Sequence, residues 1–292
     1  MSAMKKWAKN TQRNHIIVEH NDNSGSVDEQ AYIKKLTSDV RVVSIVHTSP
    51  VTGMTVDLEK ITKEVRNVTP DCIIIVDGIQ HSSHGAIDVQ KYDIDGYVVS
   101  PYKMFSRHGY GVAWASERLC TLNKEQLADG PFQNWELGTR DAGSYATFSD
   151  VVDYLDWLGS NFTESENTRE RLEASSIAIK SHEQELVDLV INGAEDIVGL
   201  RNNKKIRIIG NSASTSREGV VSFFHKNKPS RIIVEELRQR KIRVHIRKDD
   251  HYCGNILRPL NQKDCIRFSI CHYNSKAEVV EFMKAINEIS TN

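Results

Sequence analysis

Two side chains in this sequence are placed to hold opposite ends of one cofactor. Asp77 ends the apolar run Ile73-Ile74-Ile75-Val76, and Lys103 closes Val98-Val99-Ser100-Pro101-Tyr102-Lys103. Both runs read as buried strands, so an acid and a lysine fall at the ends of neighbouring strands. Pyridoxal phosphate needs such a pair: a carboxylate to keep its pyridine nitrogen protonated as an electron sink, and a lysine to form a Schiff base. Arg267 adds a charge inside the apolar stretch 266–270. An isolated buried charge is very costly, so this arginine should hold either an internal acid or a substrate carboxylate, the latter bidentately.

The elements that must position these residues alternate between strand and helix. Residues 14–19 read as a short strand. Ser26 caps a helix running to Leu36, with Glu29 three residues beyond the cap. Residues 40–46 form a buried strand, and 57–65 a helix carrying Leu58, Ile61 and Val65 on one face. The Asp77 strand, a helix over 82–90, the strand 96–100, the turn His108-Gly109-Tyr110-Gly111 and the strand 112–115 follow. This order predicts a mostly parallel sheet covered on both faces, with ligands gathered beyond the strands' carboxyl ends. Residues 147–158 and 163–191 are helical, the second being the connector between domains. Beyond Gly193, strands at 205–209, 220–225 and 243–246 and helices at 229–239 and 275–289 predict a smaller α+β layer. The domains expected are 1–165 and 166–292.

Composition removes several functions. The 292 residues carry a formal net charge of −1 with Lys and Arg scattered, which leaves no broad electrostatic footprint for nucleic acid. No apolar run approaches the ~18 residues of a membrane span, and the basic, polar N-terminus lacks the apolar middle of a secretory signal. The five cysteines form no Cys-x-x-Cys pair, so neither a disulfide framework nor a zinc site is expected and a reducing, cytoplasmic setting fits. Neither G-x-G-x-x-G nor G-x-x-x-x-G-K-[ST] occurs, which argues against nucleotide binding.

Four blocks carry a family resemblance: Asp77-Gly78-Ile79-Gln80, Ser100-Pro101-Tyr102-Lys103, Gly138-Thr139-Arg140, and Cys265-Ile266-Arg267-Phe268-Ser269-Ile270-Cys271-His272-Tyr273-Asn274. In this order they resemble class V aminotransferases, the fold-type I pyridoxal-phosphate enzymes that include cysteine desulfurases and selenocysteine lyases. The resemblance implies a parallel-sheet α/β domain with a smaller C-terminal α+β domain, and desulfurase, lyase or aminotransferase chemistry on a small amino acid. It implies Lys103 as Schiff-base lysine and proton shuttle, and Asp77 as partner of the cofactor nitrogen. By the same resemblance Gln80 bonds the cofactor's phenolic oxygen, Ser100 and Tyr102 its phosphate, and Arg267 the substrate carboxylate. Thr139 would reach the phosphate of a neighbouring subunit, which implies a homodimer.

The sequence also departs from that family. Tyr102 stands where desulfurases have His, and a phenol can donate one hydrogen bond but carries no positive charge. In His47-Thr48-Ser49-Pro50-Val51-Thr52-Gly53, Pro50 replaces an asparagine that contacts cofactor and substrate; proline has no donor to offer. His47 is expected to pack or to support the site. Cys253 falls near the family's nucleophilic cysteine, whose thiolate would take sulfur as a persulfide. Yet its spacing from Arg247 is one residue longer and Tyr252 replaces the second His of the pattern, so Cys253 is either a sulfur acceptor or a small loop residue. The other four cysteines read as packing. Residues 1–13 hold neither the family's phosphate loop nor its ring-stacking residue, so the chain is expected to lack roughly its relatives' first third. The alternative function is therefore a non-catalytic truncated paralogue that keeps the fold and dimer surface.

Overall fold

In the computed structural model, which describes residues 2–131, 134–211, 213 and 216–291, two short helices, α1 (Ser2–Asn10) and α2 (Glu29–Ile33), precede the first sheet. Asp28, not Ser26, caps α2: its carboxylate accepts from Ala31 N at 2.8 Å. Glu29 is recruited elsewhere and accepts from Asp57 N at 3.0 Å. Residues 14–19 form no strand. Ile16 and Ile17 remain about half exposed, and the next strand is left at the outer edge of its sheet. The apolar pattern is present, but no ladder partner is engaged.

β1 (Val42–Val46), α3 (Leu58–Val68), β2 (Ile73–Asp77), β3 (Gly96–Val99) and β4 (Val112–Ala115) come next. The sheet grows in chain order, with β1, β2 and β3 parallel and β4 antiparallel to β3. Asp57 caps α3 by accepting from Lys60 N at 3.0 Å. Its apolar face, Leu58, Ile61 and Val65, buries against Ile45, Ile74 and Val76. The helix expected over 82–90 shrinks to one 3₁₀ turn, His81–Ser83. His81 Nε2 lies 3.1 Å from the Ala86 carbonyl and so takes up a group that a continuing helix would need. At the opposite end of the strands Asp95, 2 % exposed, ties the layer together. Its carboxylate accepts from Ile74 N (2.8 Å), Arg118 Nε and Nη2 (2.8 and 2.7 Å) and Arg66 Nη2 (3.1 Å).

After α4 (Glu117–Cys120), α5 (Ala142–Gly159) and α6 (Thr168–Asn192) pack against each other, capped by Asp141 and Asn167. Gly159 permits the approach, since a Cβ there would lie 1.9 Å from the Arg171 carbonyl oxygen. The hairpin β5 (Gly193–Ala194) and β6 (Ile197–Val198) leads to β7 (Ile206–Ile209), β8 (Val220–His225), α7 (Ser230–Gln239), β9 (His245–Lys248), α8 (Gly254–Leu257), β10 (Asp264–Ser269) and α9 (Lys276–Thr291). The second sheet is antiparallel throughout, ordered β7-β8-β10-β9. Phe223, Ile266, Leu237 and Phe282 fill the core between this sheet, α6, α7 and α9. Arg217, 3 % exposed, fastens the loop after β1 to the second sheet: it donates to the Thr52 carbonyl and, at 3.0 Å, to that of Ile209.

Candidate active site

The carboxyl ends of β1, β2 and β3 lie side by side because the ladder continues past them. His47 N donates to the Asp77 carbonyl (3.0 Å) and Gly78 N to the Val98 carbonyl (2.9 Å). Gly78 is required here: a Cβ would stand 2.1 Å from the Tyr97 ring. Asp77 is thereby held on the wall of a cleft of about 850 Å³ that runs from the outer edge of β1 past Ser49 and Pro50 to His251 and Tyr252. Its Oδ1 accepts from Ile79 N at 3.1 Å.

Lys103 sits on the 3₁₀ turn Pro101–Met104 that follows β3. Its Nζ donates to Gln80 Oε1 at 2.7 Å. Burial and the nearby Arg267, opposed by Asp77, bring its pKa down to about 8. A lysine in this state is a nucleophilic amine at mildly alkaline pH. Labelling of Lys103 by an amine-reactive probe should rise with a midpoint near pH 8, rather than at the ~10.4 of a free lysine. Mass-spectrometric mapping across pH checks this, and a midpoint above 10 would contradict it.

The second sheet supplies the cations. On β10, Arg267 lies opposite His245 of β9, and Cys265 opposite Arg247. With a period of two, Arg267 and Arg247 share one face. Arg267 Nη1 donates to the Pro50 carbonyl at 3.1 Å, so the proline that lacks a side-chain donor offers its backbone oxygen instead. Burial and Arg247 lower Arg267 to about 10. The Nε atoms of both arginines are buried without a hydrogen-bond partner among the described residues. A substrate carboxylate would satisfy such atoms. Sequence reasoning used Arg247 only as a spacing marker; its same-face alternation with His245 was the available signal.

Behind Lys103 lies a buried polar cluster that the sequence did not reveal. Gln80 Nε2 is 2.9 Å from His84 Nε2, and His84 Nδ1 is 2.6 Å from Glu183 Oε2. His47 stacks on His81 with ring centroids 3.7 Å apart. His81 Nδ1 in turn contacts Glu218 Oε1 at 2.5 Å. His47 contacts the Tyr97 hydroxyl through Nδ1 at 2.9 Å. Burial, then the charge of His81, depresses its pKa to about 2, so His47 is a neutral supporting group.

The remaining expected residues are placed differently. Ser100 precedes the lysine turn and makes no side-chain capping bond. Tyr102 faces outward, 42 % exposed, stacked on His108 at 4.3 Å between centroids. Thr139 lies on an exposed loop before α5, and no contact joins it to Lys103 or Asp77 among the described residues. Cys253 is 1 % exposed, enclosed by Val51, Ile209, Phe224, Ile256, Leu257, Leu260 and Cys265. Burial pushes its thiol pKa up, the opposite of what a thiolate nucleophile needs. For pyridoxal phosphate, then, the residues that fit belong to the ring end: an acid on the cleft wall, an amide and an amine of lowered pKa. At the phosphate end, Ser100 lies next to the lysine turn, its carbonyl accepting from Lys103 N at 2.9 Å.

Comparison with known proteins identifies the family. The family described as Aminotransferase class-V matches residues 2–282. The chain is 26 % identical to an aminotransferase-like protein of Gibberella zeae, covering 91 % of this chain and 63 % of the relative. It is 23 % identical to a probable cysteine desulfurase of Treponema pallidum, covering 92 % of this chain and 63 % of the relative. It thus spans a little under two thirds of the length of these relatives. Among solved structures, an apo cysteine desulfurase of Thermococcus onnurineus superposes with a TM-score of 0.78 at 20 % identity, over 98 % of this chain and 68 % of the other. A cysteine desulfurase of Escherichia coli gives 0.75 at 20 % identity, over 97 % and 67 %. The fold is accordingly the mixed α/β fold of fold-type I pyridoxal-phosphate enzymes. The chain belongs to the class-V aminotransferase family.

Proposed function

We propose that this chain binds pyridoxal phosphate through Asp77, Gln80 and Lys103 and acts at the α-carbon of a small amino acid. The observation that carries the reading is the amine of Lys103, brought down to about 8 beside Asp77 and Arg267 at the strands' carboxyl ends. When bound, the cofactor would supply an electron sink that acidifies the substrate's Cα hydrogen. Asp77 would keep the ring nitrogen protonated by charge. Lys103, as a free amine, would accept the Cα proton and return it. Arg267 would hold the α-carboxylate through the Nη and Nε donors facing the loop after β1, which orients the Cα bond to be broken.

The buried, protonated thiol of Cys253 favours chemistry that leaves this cysteine out, so transamination, epimerisation or a lyase reaction fits better than sulfur transfer to it. Thr139, exposed on its loop, supports the reading in which it serves a neighbouring subunit of a homodimer. The sparse phosphate end supports a second reading, a paralogue of the same fold that binds the cofactor weakly and does not turn over. Equilibrium titration with pyridoxal phosphate separates the two: stoichiometric, tight binding removes the second.

The substrate reading is tested at Arg267. Charge-assisted hydrogen bonds to a carboxylate contribute about 1.5–3 kcal/mol, so Arg267→Ala should raise KM for an amino acid about 10- to 150-fold. The same variant should leave binding of the corresponding decarboxylated amine unchanged. Equal losses for acid and amine would show that Arg267 serves the fold and not the carboxylate.

A further inference from the structure

The polar chain behind Lys103 has a defined direction of donation. The ammonium of Lys103 can only donate, so Gln80 must turn its carbonyl oxygen to it, as the 2.7 Å contact shows. The amide nitrogen of Gln80 then faces His84 Nε2 at 2.9 Å and donates to it. A ring nitrogen that accepts carries no proton, so the His84 proton lies on Nδ1, aimed at Glu183 Oε2 at 2.6 Å. The path is buried throughout: Gln80 is 9 %, His84 3 % and Glu183 2 % exposed. Glu183 Oε1 has no partner among the described residues, which leaves His84 as the donor its carboxylate depends on. The path also crosses the molecule, from the turn after β3 through the segment after β2 to α6.

We propose that His84 and Glu183 are positioning residues for Lys103: Glu183 fixes the tautomer of His84, His84 fixes which end of the Gln80 amide faces the lysine, and the Gln80 carbonyl holds Nζ in place. Without this orientation the amide can turn and present its NH₂ to the ammonium, donor against donor. Lys103 would then lose its acceptor, and its charged form would be disfavoured.

The groups facing each member are known. Lys103 senses Asp77 of β2, Arg247 of β9 and Arg267 of β10. His84 senses Glu183 of α6, Glu218 before β8, and Lys103; His272 after β10 senses His84 and His182. Burial works against the charged imidazole, but the hydrogen bond and charge of Glu183 outweigh it and raise His84 above its ordinary value. Glu183 is itself raised, chiefly by burial. The raised value favours a second proton on Nε2, so the accepting Nε2 belongs to the neutral imidazole, and the ¹⁵N measurement below decides which form faces Gln80.

The inference rests on Lys103 being the reactive amine, so it is tested on the cofactor-free chain. The pH titration of Lys103 is followed by competitive amine labelling and mass mapping. His84→Phe should lower its midpoint by about one unit, the size expected for losing one hydrogen bond to a charged group. His84→Gln, which keeps an acceptor and a donor, should restore most of it. Glu183→Gln, which keeps the shape but releases the tautomer, should fall between. In the unaltered protein, ¹⁵N shifts of His84 at pH 8 should report a protonated Nδ1 and a bare Nε2. This last measurement decides the matter even if His84→Phe does not fold. A proton on Nε2, or an unchanged Lys103 midpoint in folded His84→Phe, would overturn the proposal. Failure to bind pyridoxal phosphate would instead sink the proposed function and leave the Lys103 titration as described.

Discussion

Lys103→Ala is expected to reduce turnover of any amino-acid substrate to background, a loss of about 10⁴-fold or more. Two separate contributions disappear together. One is the amine that accepts and returns the Cα proton, and general acid–base catalysis of this kind is worth about 10²–10⁴-fold. The other is the nucleophile that holds the cofactor covalently and is displaced by substrate. The fold should survive, because Lys103 lies on a short 3₁₀ turn and, among the described residues, its side chain's hydrogen bond is to Gln80. Circular dichroism and the thermal midpoint should therefore match the parent within a few degrees. Added small primary amines should recover part of the lost rate, since an amine is what is missing. Activity within about tenfold of the parent would remove Lys103 from the chemistry.

Asp95→Ala should have the largest effect on stability. The buried carboxylate accepts from two arginines and from the Ile74 amide. Removing one partner of a buried ion pair typically costs about 3–5 kcal/mol, because charge and amide are left without partners. Arg118 is partly solvated, with 40 % of its side chain exposed, which places the expected loss near the lower end, about 3 kcal/mol. In a protein of this size that lowers the thermal midpoint by about 6–12 °C. The pH dependence has a definite sign. Burial works against the charged carboxylate, but the Ile74 amide and the arginines outweigh it and hold its pKa below the ordinary value of 3.8. Its contribution is therefore fully present above pH ~4 and is lost as pH falls through the lowered folded value. Asp95→Asn should be less stable at neutral pH, with the difference shrinking as the pH is taken well below 4. A constant difference from pH 7 to pH 2 would contradict this.

How much was legible in the sequence differs from residue to residue. Asp77, Lys103 and Arg267 stood out in the sequence because each interrupts or ends an apolar run, and a charge in that position must have a partner. The parallel sheet was readable from the alternation of elements, and α3 from the spacing of its apolar residues. The local errors have local causes. Ser26 and Asp28 are both competent caps, and Asp28 lies closer to the helical turn that forms. Residues 14–19 have strand chemistry, but a strand exists only against a ladder partner. The helix expected over 82–90 gives way to the His81 contact with the Ala86 carbonyl. What stayed hidden is tertiary: Glu183 meets His84 across 99 positions and Glu218 meets His81 across 137. No local pattern encodes such a meeting. The burial of Cys253 was equally invisible, because its neighbours Val51, Ile209 and Phe224 come from three distant elements.

The central claim is that the strand ends converge on one reactive amine. The most direct test is to mix purified protein with pyridoxal phosphate, reduce with borohydride, digest, and map the pyridoxyl group by mass spectrometry. The account predicts a single stoichiometric adduct on Lys103, weakened by Asp77→Asn and absent in Lys103→Ala. Modification spread over surface lysines, with Lys103 unmodified in folded protein, would contradict it.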